Sequence, residues 1–294
     1  MDANLRDYLQ QNHDQLTWKE RFQIVIDIIV SLESIHNENI IHKNLHSGNI
    51  LYKQINQRFG ISDLGFCVPD SNKSSKNIYG NLPYIAPEVI AGREYTFKSD
   101  IYSIAMLMWE ISSGQPPFIN NEHDYDLTIN IINGIRPRIV SGTPPEYISL
   151  MKQCWDAHPL KRPDIKTLYS KIKEIYKLYQ DDQKLSNELL ETNNFLEVYK
   201  ANSLEINYTS KFHRFENFPV PRNAIDEEQE VFHSKSAKGV SIKIGNIFKV
   251  RKITKIFKRQ QTKNDSQPQV YYIDKDEIDE IYNPGLYLKV QDQF

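Results

Sequence analysis

The sequence predicts a mainly α-helical domain with a small β patch, followed by a weakly ordered C-terminal tail. Apolar residues recur at intervals of three and four after Thr17, and another apolar run covers almost a whole helical circumference between residues 98 and 113, which predicts two helices. Short apolar runs alternate with polar loops between residues 40 and 68, which is typical of brief strands. The patterns weaken near residue 180, so we place a compact domain at 1–179 and the tail at 180–294.

The predicted helices carry start and stop signals. Thr17 and Glu20 have the spacing of a capping box, in which each side chain accepts a hydrogen bond from a free backbone N–H. Gly114 and the proline pair at 116–117 are expected to end the second helix, which is apolar on all sides and therefore central. A last helix with one apolar side is predicted after Pro163. That side consists of Ile165, Leu168, Ile172, Ile175 and Leu178.

Composition excludes several classes of protein. The 294 residues are 39% hydrophobic and 25% charged, with a net charge of −2, so no overall field attracts nucleic acid or membrane. No apolar run is long enough to span a bilayer, and an apolar signal region is not found. The two cysteines, Cys67 and Cys154, are too few for a disulfide framework or a cysteine-ligated zinc site. An intracellular, cytoplasmic protein is therefore expected.

Five motifs follow one another in the compact domain. They are residues 41–51 (IHKNLHSGNIL), 62–66 (SDLGF), 83–88 (PYIAPE), 99–103 (SDIYS) and 154–163 (CWDAHPLKRP). Because all five keep their order and approximate spacing, residues 1–179 resemble the C-lobe of the protein kinases. The last motif resembles the tyrosine-kinase and tyrosine-kinase-like branch, whereas residues 80–88 are more similar to the serine/threonine-specific members.

The resemblance implies a site for magnesium and ATP. Asp63 and Asn49 match the family's metal-binding positions, and magnesium prefers such oxygen ligands. Leu51 matches the residue beneath the adenine, and Gly65 lets the backbone turn directly after Asp63. Taken alone, these residues would indicate a plain turn and an Asx cap. The five motifs together favour a site of metal-binding ancestry.

The catalytic loop departs from the family pattern. His42, Lys43 and Asn44 stand where the family has His-Arg-Asp, and the neutral amide of Asn44 is unable to act as a base near pH 7. The loss of a general base typically costs ~10²–10⁴-fold in rate. Lys43 lacks the bidentate fork with which Arg would hold a phosphorylated activation loop. His46 replaces the phosphate-directed Lys of serine/threonine kinases, and Asn81 stands where many of them carry Thr.

A second departure from the family pattern lies at the N-terminal end of the sequence. Residues 4–9 resemble the helix that follows the kinase hinge, and the chain contains no G-x-G sequence, so the N-lobe with its glycine-rich loop and ATP-pairing Lys is expected to be missing. No tightly bound cofactor is then expected, and Mg and ATP would bind only if a complete N-lobe were present. The missing lobe should leave an apolar patch near Leu5, Leu51 and Leu64, and such a patch tends to bind a partner or to aggregate.

The resemblance also assigns structural and regulatory residues. Asp100 should accept hydrogen bonds from backbone amides of the turn at residues 42–44. Glu88 and Arg162 should form a buried ion pair with a structural role. The segment between Asp63 and Glu88 matches an activation segment, unless it is only a solvated loop. Its expected phosphorylation sites are Ser71, Ser74, Ser75 and Tyr79.

Residues 234–264 form a basic segment within the tail. The segment contains ten Lys or Arg residues and no Asp or Glu, with apolar residues interleaved. It fits a nuclear-import or nucleic-acid patch, an amphipathic helix on a membrane surface, or a solvated tail that pairs with the acidic stretches on either side. The third interpretation is favoured, and in each case the segment contacts an acidic surface.

Together these features predict a truncated, pseudokinase-like domain of the tyrosine-kinase-like branch. Such a domain is inactive in phosphoryl transfer and acts in intracellular signalling by binding, scaffolding or modulating other kinases or signalling proteins. The alternative is the C-terminal part of an ATP-dependent serine/threonine kinase of this branch whose N-lobe is missing from the gene model. A third hypothesis gives the function to the basic tail, acting on membrane or nucleic acid.

Overall fold

A computed structural model shows a mainly α-helical chain with small antiparallel sheets, which confirms the predicted fold class at that level. The structure describes residues 3–69, 78–181, 210–214, 218–236 and 271–273. The helices within them are α1 Leu5–Asn12, α2 Trp18–Asn37, α3 Pro87–Ile90, α4 Phe97–Ser113, α5 Tyr125–Ile132, α6 Pro145–Cys154, α7 Ile165–Asp181 and α8 Asp226–Ser236. The strands are β1 Ile40–Ile41, β2 Ile50–Lys53, β3 Arg58–Ile61, β4 Val68–Pro69, β5 Ile78–Gly80, β6 Lys211–Arg214 and β7 Tyr271–Ile273.

The strands form three small sheets, and all their pairs are antiparallel. β1 pairs with β4, and β2 pairs with β3 as a hairpin in which Leu51 lies opposite Gly60. In the third sheet β6 lies between β5 and β7, with Gly80 opposite Lys211. This sheet joins a strand of the compact domain to strands from the C-terminal part of the chain.

Helix α4 forms the centre of the core, as its apolar circumference predicts. Every residue from Ser99 to Ser113 is buried, and both α2 and α6 pack against the helix. The helix ends at Gly114, whose left-handed φ of +72° allows its N–H to bond the carbonyl of Glu110 at 2.8 Å. Because α4 is buried from Ser99 onwards, the part of its first turn that carries Asp100 is a fixed platform for the loops that lie against it.

Helices α2 and α7 pack together beside this core. The predicted capping box is present, since Thr17 N–H donates to Glu20 and Thr17 Oγ1 accepts from the Glu20 N–H. The prediction for α7 is wrong at its end, where Leu178 is 61% exposed. The ring of Tyr179 lies 5.2 Å from the ring of Phe22 instead. Position 179 continues the stripe that runs through residues 168, 172 and 175 at helical spacing, whereas position 178 leaves it.

Residues 218–236 differ from the weakly ordered tail that the sequence predicts for 180–294. Phe232 is 2% exposed and lies edge-on to Phe118, with ring centroids 6.4 Å apart. Phe218 stacks on Tyr125 at 5.7 Å. These aromatic contacts anchor the segment to the compact domain, because each buried ring removes a large apolar area from water.

The structure bears only in part on the predictions about charged and membrane surfaces. Of the basic segment 234–264, only residues 234–236 are described, at the end of α8, and the remainder lies outside the described residues. Among the helices that the structure does describe, none combines the length and apolar character needed to cross a bilayer.

Candidate active site

Asp100, in the first turn of α4, holds the turn that carries the candidate catalytic residues. Its carboxylate accepts hydrogen bonds from the backbone N–H groups of His42 at 2.9 Å and Lys43 at 3.0 Å, as predicted. Asp100 Oδ2 also lies 2.8 Å from His36 Nε2 on α2. Lys43 has a left-handed φ of +67°, which is uncommon for a residue with a side chain. The paired hydrogen bonds to the buried carboxylate stabilise this conformation.

Asp63 faces the same turn from the end of β3. Its backbone is also left-handed, with a φ of +59°. Oδ2 of its carboxylate accepts hydrogen bonds from Asn44 Nδ2 at 3.2 Å and Asn49 Nδ2 at 3.1 Å. Asn49 Nδ2 also donates to the backbone carbonyl of Asn44 at 2.9 Å. The structure thus brings together Asn44, Asn49 and Asp63, which the sequence separates by up to nineteen positions.

The other end of the Asn44 amide contacts Ser210, which directly precedes β6. Gly48 N–H donates to His46 Nδ1 at 3.1 Å, so the ring proton of the neutral imidazole is on Nε2. Nε2 then donates to Ser210 Oγ at 3.0 Å, and Ser210 Oγ donates to Asn44 Oδ1 at 2.9 Å. Burial lowers the pKa of His46 to about 3, which keeps the ring neutral near pH 7. A directional chain of hydrogen bonds therefore runs from Gly48 to Asp63.

The side chain of Lys43 lies over an aromatic ring. Its Nζ is 5.4 Å from the ring centroid of Tyr95, and burial lowers the pKa of the Lys43 ammonium. The hydroxyl of Tyr95 donates to the carbonyl oxygen of Tyr79 in β5 at 3.1 Å. The cation–π contact and this hydrogen bond thus link Lys43, through Tyr95, to β5, which lies within the segment between Asp63 and Glu88.

The expected phosphorylation sites fall largely outside the described residues. Ser71, Ser74 and Ser75 lie in the undescribed range 70–77. Tyr79 is half-buried in β5, and burial, with a further contribution from Asp63, raises the pKa of its phenol. Phosphorylation at all four positions stays a prediction.

Glu88 and Arg162 form the buried ion pair that the sequence analysis expects. The guanidinium contacts both carboxylate oxygens, at 2.7 and 2.6 Å, and the side chains of Arg162 and Glu88 are 0% and 4% exposed. Arg162 also donates to the backbone carbonyls of Lys98 and Asp156, each at 2.8 Å. The pair therefore joins structural elements, and these hydrogen bonds involve none of Asn44, Asn49 and Asp63.

The apolar patch expected at Leu5, Leu51 and Leu64 is present only in part. Leu64 is 55% exposed and Leu51 is half-buried, but Leu5 is fully buried. The prediction is wrong for Leu5 because α1 turns this side chain into the core. The chain before α1 also bonds the β2–β3 hairpin, with Tyr52 N–H donating to the carbonyl of Ala3 at 2.8 Å.

Candidate cation ligands at this site are one carboxylate and one amide. No group of three or more His, Cys, Asp or Glu within the described part of the chain is arranged to hold a metal. Asp63 and Asn49 fit a magnesium ion that takes its remaining ligands from phosphate and water. The Asn49 amide nitrogen is committed to Asp63 and the Asn44 carbonyl, which leaves its oxygen as the atom that would bind a cation.

Ser210 and His213 both contact the compact domain, and neither was predicted from the sequence. Ser210 is 166 positions from Asn44, and its local sequence is an ordinary polar stretch. His213 is buried at 3% exposure and bonds the carbonyl of Gly80 at 3.0 Å. A strand of four residues carries too weak a local pattern to indicate where it pairs.

Comparison with known proteins gives the family to which this chain belongs. Residues 1–172 match the family model for the protein tyrosine and serine/threonine kinases. The match covers more than half of the chain, so the chain belongs to the protein kinase family.

Similar proteins carry serine/threonine-kinase names. The chain is 31% identical over 165 residues to the "Putative serine/threonine-protein kinase/receptor R831" of Acanthamoeba polyphaga mimivirus, covering 55% of this chain and 10% of that protein. It is 30% identical over 185 residues to the "Probable serine/threonine-protein kinase roco5" of Dictyostelium discoideum, covering 58% and 7%. The chain therefore spans about a tenth or less of the length of these relatives.

Proposed function

We propose that this chain is a pseudokinase-like member of the tyrosine-kinase-like branch, which binds protein partners through its kinase C-lobe and does not transfer phosphate efficiently. The observation that carries the proposal is the position of Asn44. Its amide lies between Asp63, a candidate metal ligand, and the hydroxyl of Ser210. In the family this position belongs to the Asp that accepts the proton of the substrate hydroxyl.

Asn44 is able to bind a hydroxyl but not to deprotonate it. Its Oδ1 accepts the hydrogen bond of Ser210 at 2.9 Å, yet an amide oxygen is far too weak a base to take the proton. General-base catalysis is worth ~10²–10⁴-fold in rate. A hydroxyl held in this way is positioned without being activated, which favours binding over turnover.

The Asn44 amide also satisfies Asp63 without a cation. Its Nδ2 donates to Asp63 Oδ2 at 3.2 Å, where an Asp would bring a second negative charge and would need a cation or a proton beside it. If Mg²⁺ is bound, Asp63 and Asn49 would hold it, and the ion would neutralise phosphate charge. The Asn44 amide thus joins its own loop to Asp63 by a hydrogen bond that needs no cation between the two side chains.

A phosphotransfer assay on the full chain tests the proposal. The chain is incubated with Mg²⁺ and radiolabelled ATP and a general serine/threonine substrate, beside the variants Asn44→Asp and Asp63→Asn. Asp63→Asn removes the candidate metal ligand and reports contaminating kinase. We expect the unmodified chain to match this background. Activity above that of Asp63→Asn would overturn the proposal.

The Asn44→Asp arm separates the alternatives. Activity in this variant alone would identify the amide as the defect and support a kinase ancestry with an otherwise competent site. Background activity in Asn44→Asp would show that further elements, such as a glycine-rich loop and an ATP-pairing Lys, are also needed. Both outcomes agree with an inactive unmodified chain.

A further inference from the structure

Strand β6 lies along the edge of β5, beside the candidate catalytic loop. The pairing is antiparallel, with Ile78 opposite His213 and Gly80 opposite Lys211. His213 is buried, and its Nε2 bonds the carbonyl oxygen of Gly80 at 3.0 Å. A backbone ladder and one buried side chain therefore hold this short segment in register. Addition of an extended segment to an exposed strand edge is a general mode of peptide recognition.

The register places one hydroxyl in the candidate active site. Ser210 immediately precedes β6, and its Oγ lies 2.9 Å from Asn44 Oδ1 and 3.0 Å from His46 Nε2. Asn44 and His46 are both buried, at 3% and 7% exposure. The hydroxyl therefore sits beside the residue that occupies the position of the proton acceptor in the family.

The two contacts specify a hydroxyl in particular. His46 Nε2 carries a proton, because His46 Nδ1 accepts from Gly48 N–H. Asn44 Oδ1 is an acceptor, because Asn44 Nδ2 faces the Asp63 carboxylate. A single atom that bonds both must accept one hydrogen bond and donate another, which a Ser or Thr hydroxyl does. An Ala at this position would leave two buried polar atoms without that partner, and such losses are costly.

We propose that β5, Asn44 and His46 form a binding groove for an extended peptide that presents a Ser or Thr hydroxyl, and that residues 210–214 are its built-in occupant. The groove binds this segment as a substrate-like ligand in cis. A protein segment of the same chemistry would bind in trans by displacing residues 210–214. This inference names the ligand class of the binding module proposed above and rests on that proposal.

The test compares how tightly an added peptide binds to the unmodified full chain, whose groove residues 210–214 occupy, and to a variant in which that segment is released (the opened chain). The probe is a fluorescent peptide centred on residues 210–214, and the opened chain carries Ser210→Ala together with His213→Ala. These substitutions remove the side-chain bonds to Asn44, His46 and Gly80. If residues 210–214 occupy the groove most of the time, the apparent affinity for the added peptide is reduced in proportion to the fraction of chains whose groove is free. We expect the opened chain to bind the peptide about tenfold or more tightly than the unmodified chain.

Matched controls make the result specific. A peptide with Ala at the position of Ser210 should lose about tenfold or more in affinity for the opened chain. Arg222→Ala, at an exposed position whose guanidinium pairs with Glu228 in α8, should leave peptide binding at the unmodified level. If the double variant does not fold, Ser210→Ala alone replaces it, and faster amide hydrogen exchange at residues 78–80 reports opening.

Three outcomes would overturn the inference. They are equal affinity of the opened and unmodified chains, equal affinity for the Ser and Ala peptides, and no binding to the folded, opened chain. None of them depends on phosphate transfer. A failed peptide test beside a silent phosphotransfer assay therefore removes the ligand class and leaves the proposed inactivity standing.

Discussion

The docking of residues 218–236 depends on the absence of a side chain at Gly134. A Cβ atom on Gly134 would lie 2.2 Å from Ala224 N and 2.4 Å from Arg222 O. Those backbone atoms have little freedom to move, because Arg222 N–H donates to the carbonyl of Ile132 at 3.1 Å. We therefore predict that Gly134→Ala displaces the segment from the domain.

A matched control separates this clash from backbone strain. Gly134 and Gly92 have left-handed φ values of +91° and +84°, but a Cβ on Gly92 would meet no atom within 4 Å. Each Ala substitution should cost about 1–2 kcal/mol from the left-handed backbone. Gly134→Ala should also lose the burial of Phe232, about 1.5–3 kcal/mol, and hydrogen bonds worth about 1 kcal/mol each. These include the bond from Gln229 to the carbonyl of Gly134 at 2.8 Å.

The expected difference between the two variants is about 2–4 kcal/mol in the free energy of unfolding. Urea unfolding followed by tryptophan fluorescence measures it, and hydrogen exchange of α8 locates it. Gly134→Ala should accelerate exchange throughout residues 226–236, whereas Gly92→Ala should not. Equal stabilities with unchanged exchange in α8 would refute the reasoning.

Two further predictions concern buried ionisable groups. Glu88→Ala leaves the Arg162 guanidinium buried without its carboxylate partner and should lower the free energy of unfolding, measured with urea, by about 3–5 kcal/mol. Glu230→Ala, at a surface ion pair, should lower it by less than about 1 kcal/mol. Similar losses in the two variants would contradict a structural role for the buried pair. Burial lowers the pKa of both His123 and His213 to about 4, so the unfolded chain binds these protons first as the pH falls below about 6.5. The free energy of unfolding should therefore decrease between about pH 6.5 and pH 4, by up to about 1.4 kcal/mol per pH unit for each histidine. Urea unfolding at pH 7.5 and pH 5 measures this decrease, which should be smaller in His123→Gln. Equal stability at pH 7.5 and pH 5 would be inconsistent with histidine rings that burial keeps neutral.

The central helices were predictable because their signals are local. The capping box at Thr17 and the stop at Gly114 each depend on residues within one turn of the helix end. Helices α5 and α6 were not predicted. The buried positions of α6 nevertheless show a helical spacing, with Tyr147, Leu150 and Met151 on one side.

The candidate site was predictable only as far as the family motifs reach. The resemblance indicates Asn44, Asn49 and Asp63, and the structure brings them together through hydrogen bonds of 2.9–3.2 Å. The contacts of Ser210 depend on a pairing between strands more than a hundred residues apart. Such a pairing is decided by the edge that β5 offers and by the buried side chain of His213, and neither has a signature in the local sequence.

The errors at Leu5 and Leu178 have a common physical origin. Both residues are apolar positions in helices, and their burial depends on which neighbour covers that side. Leu5 is fully buried and Leu178 is 61% exposed, although hydrophobicity alone ranks them equally. Periodicity identifies a face of a helix, whereas tertiary packing decides how far along the helix that face is covered.

Phosphorylation of Ser210 would show directly whether this site transfers phosphate, since the Ser210 hydroxyl already contacts the Asn44 amide at 2.9 Å. The full chain is incubated with Mg²⁺ and ATP, and peptide mass spectrometry quantifies phosphate at this residue beside the Asp63→Asn variant. We expect Ser210 to stay unmodified, because its hydroxyl is held by an amide that takes no proton. Phosphate on Ser210 at high occupancy, lost in Asp63→Asn, would contradict it.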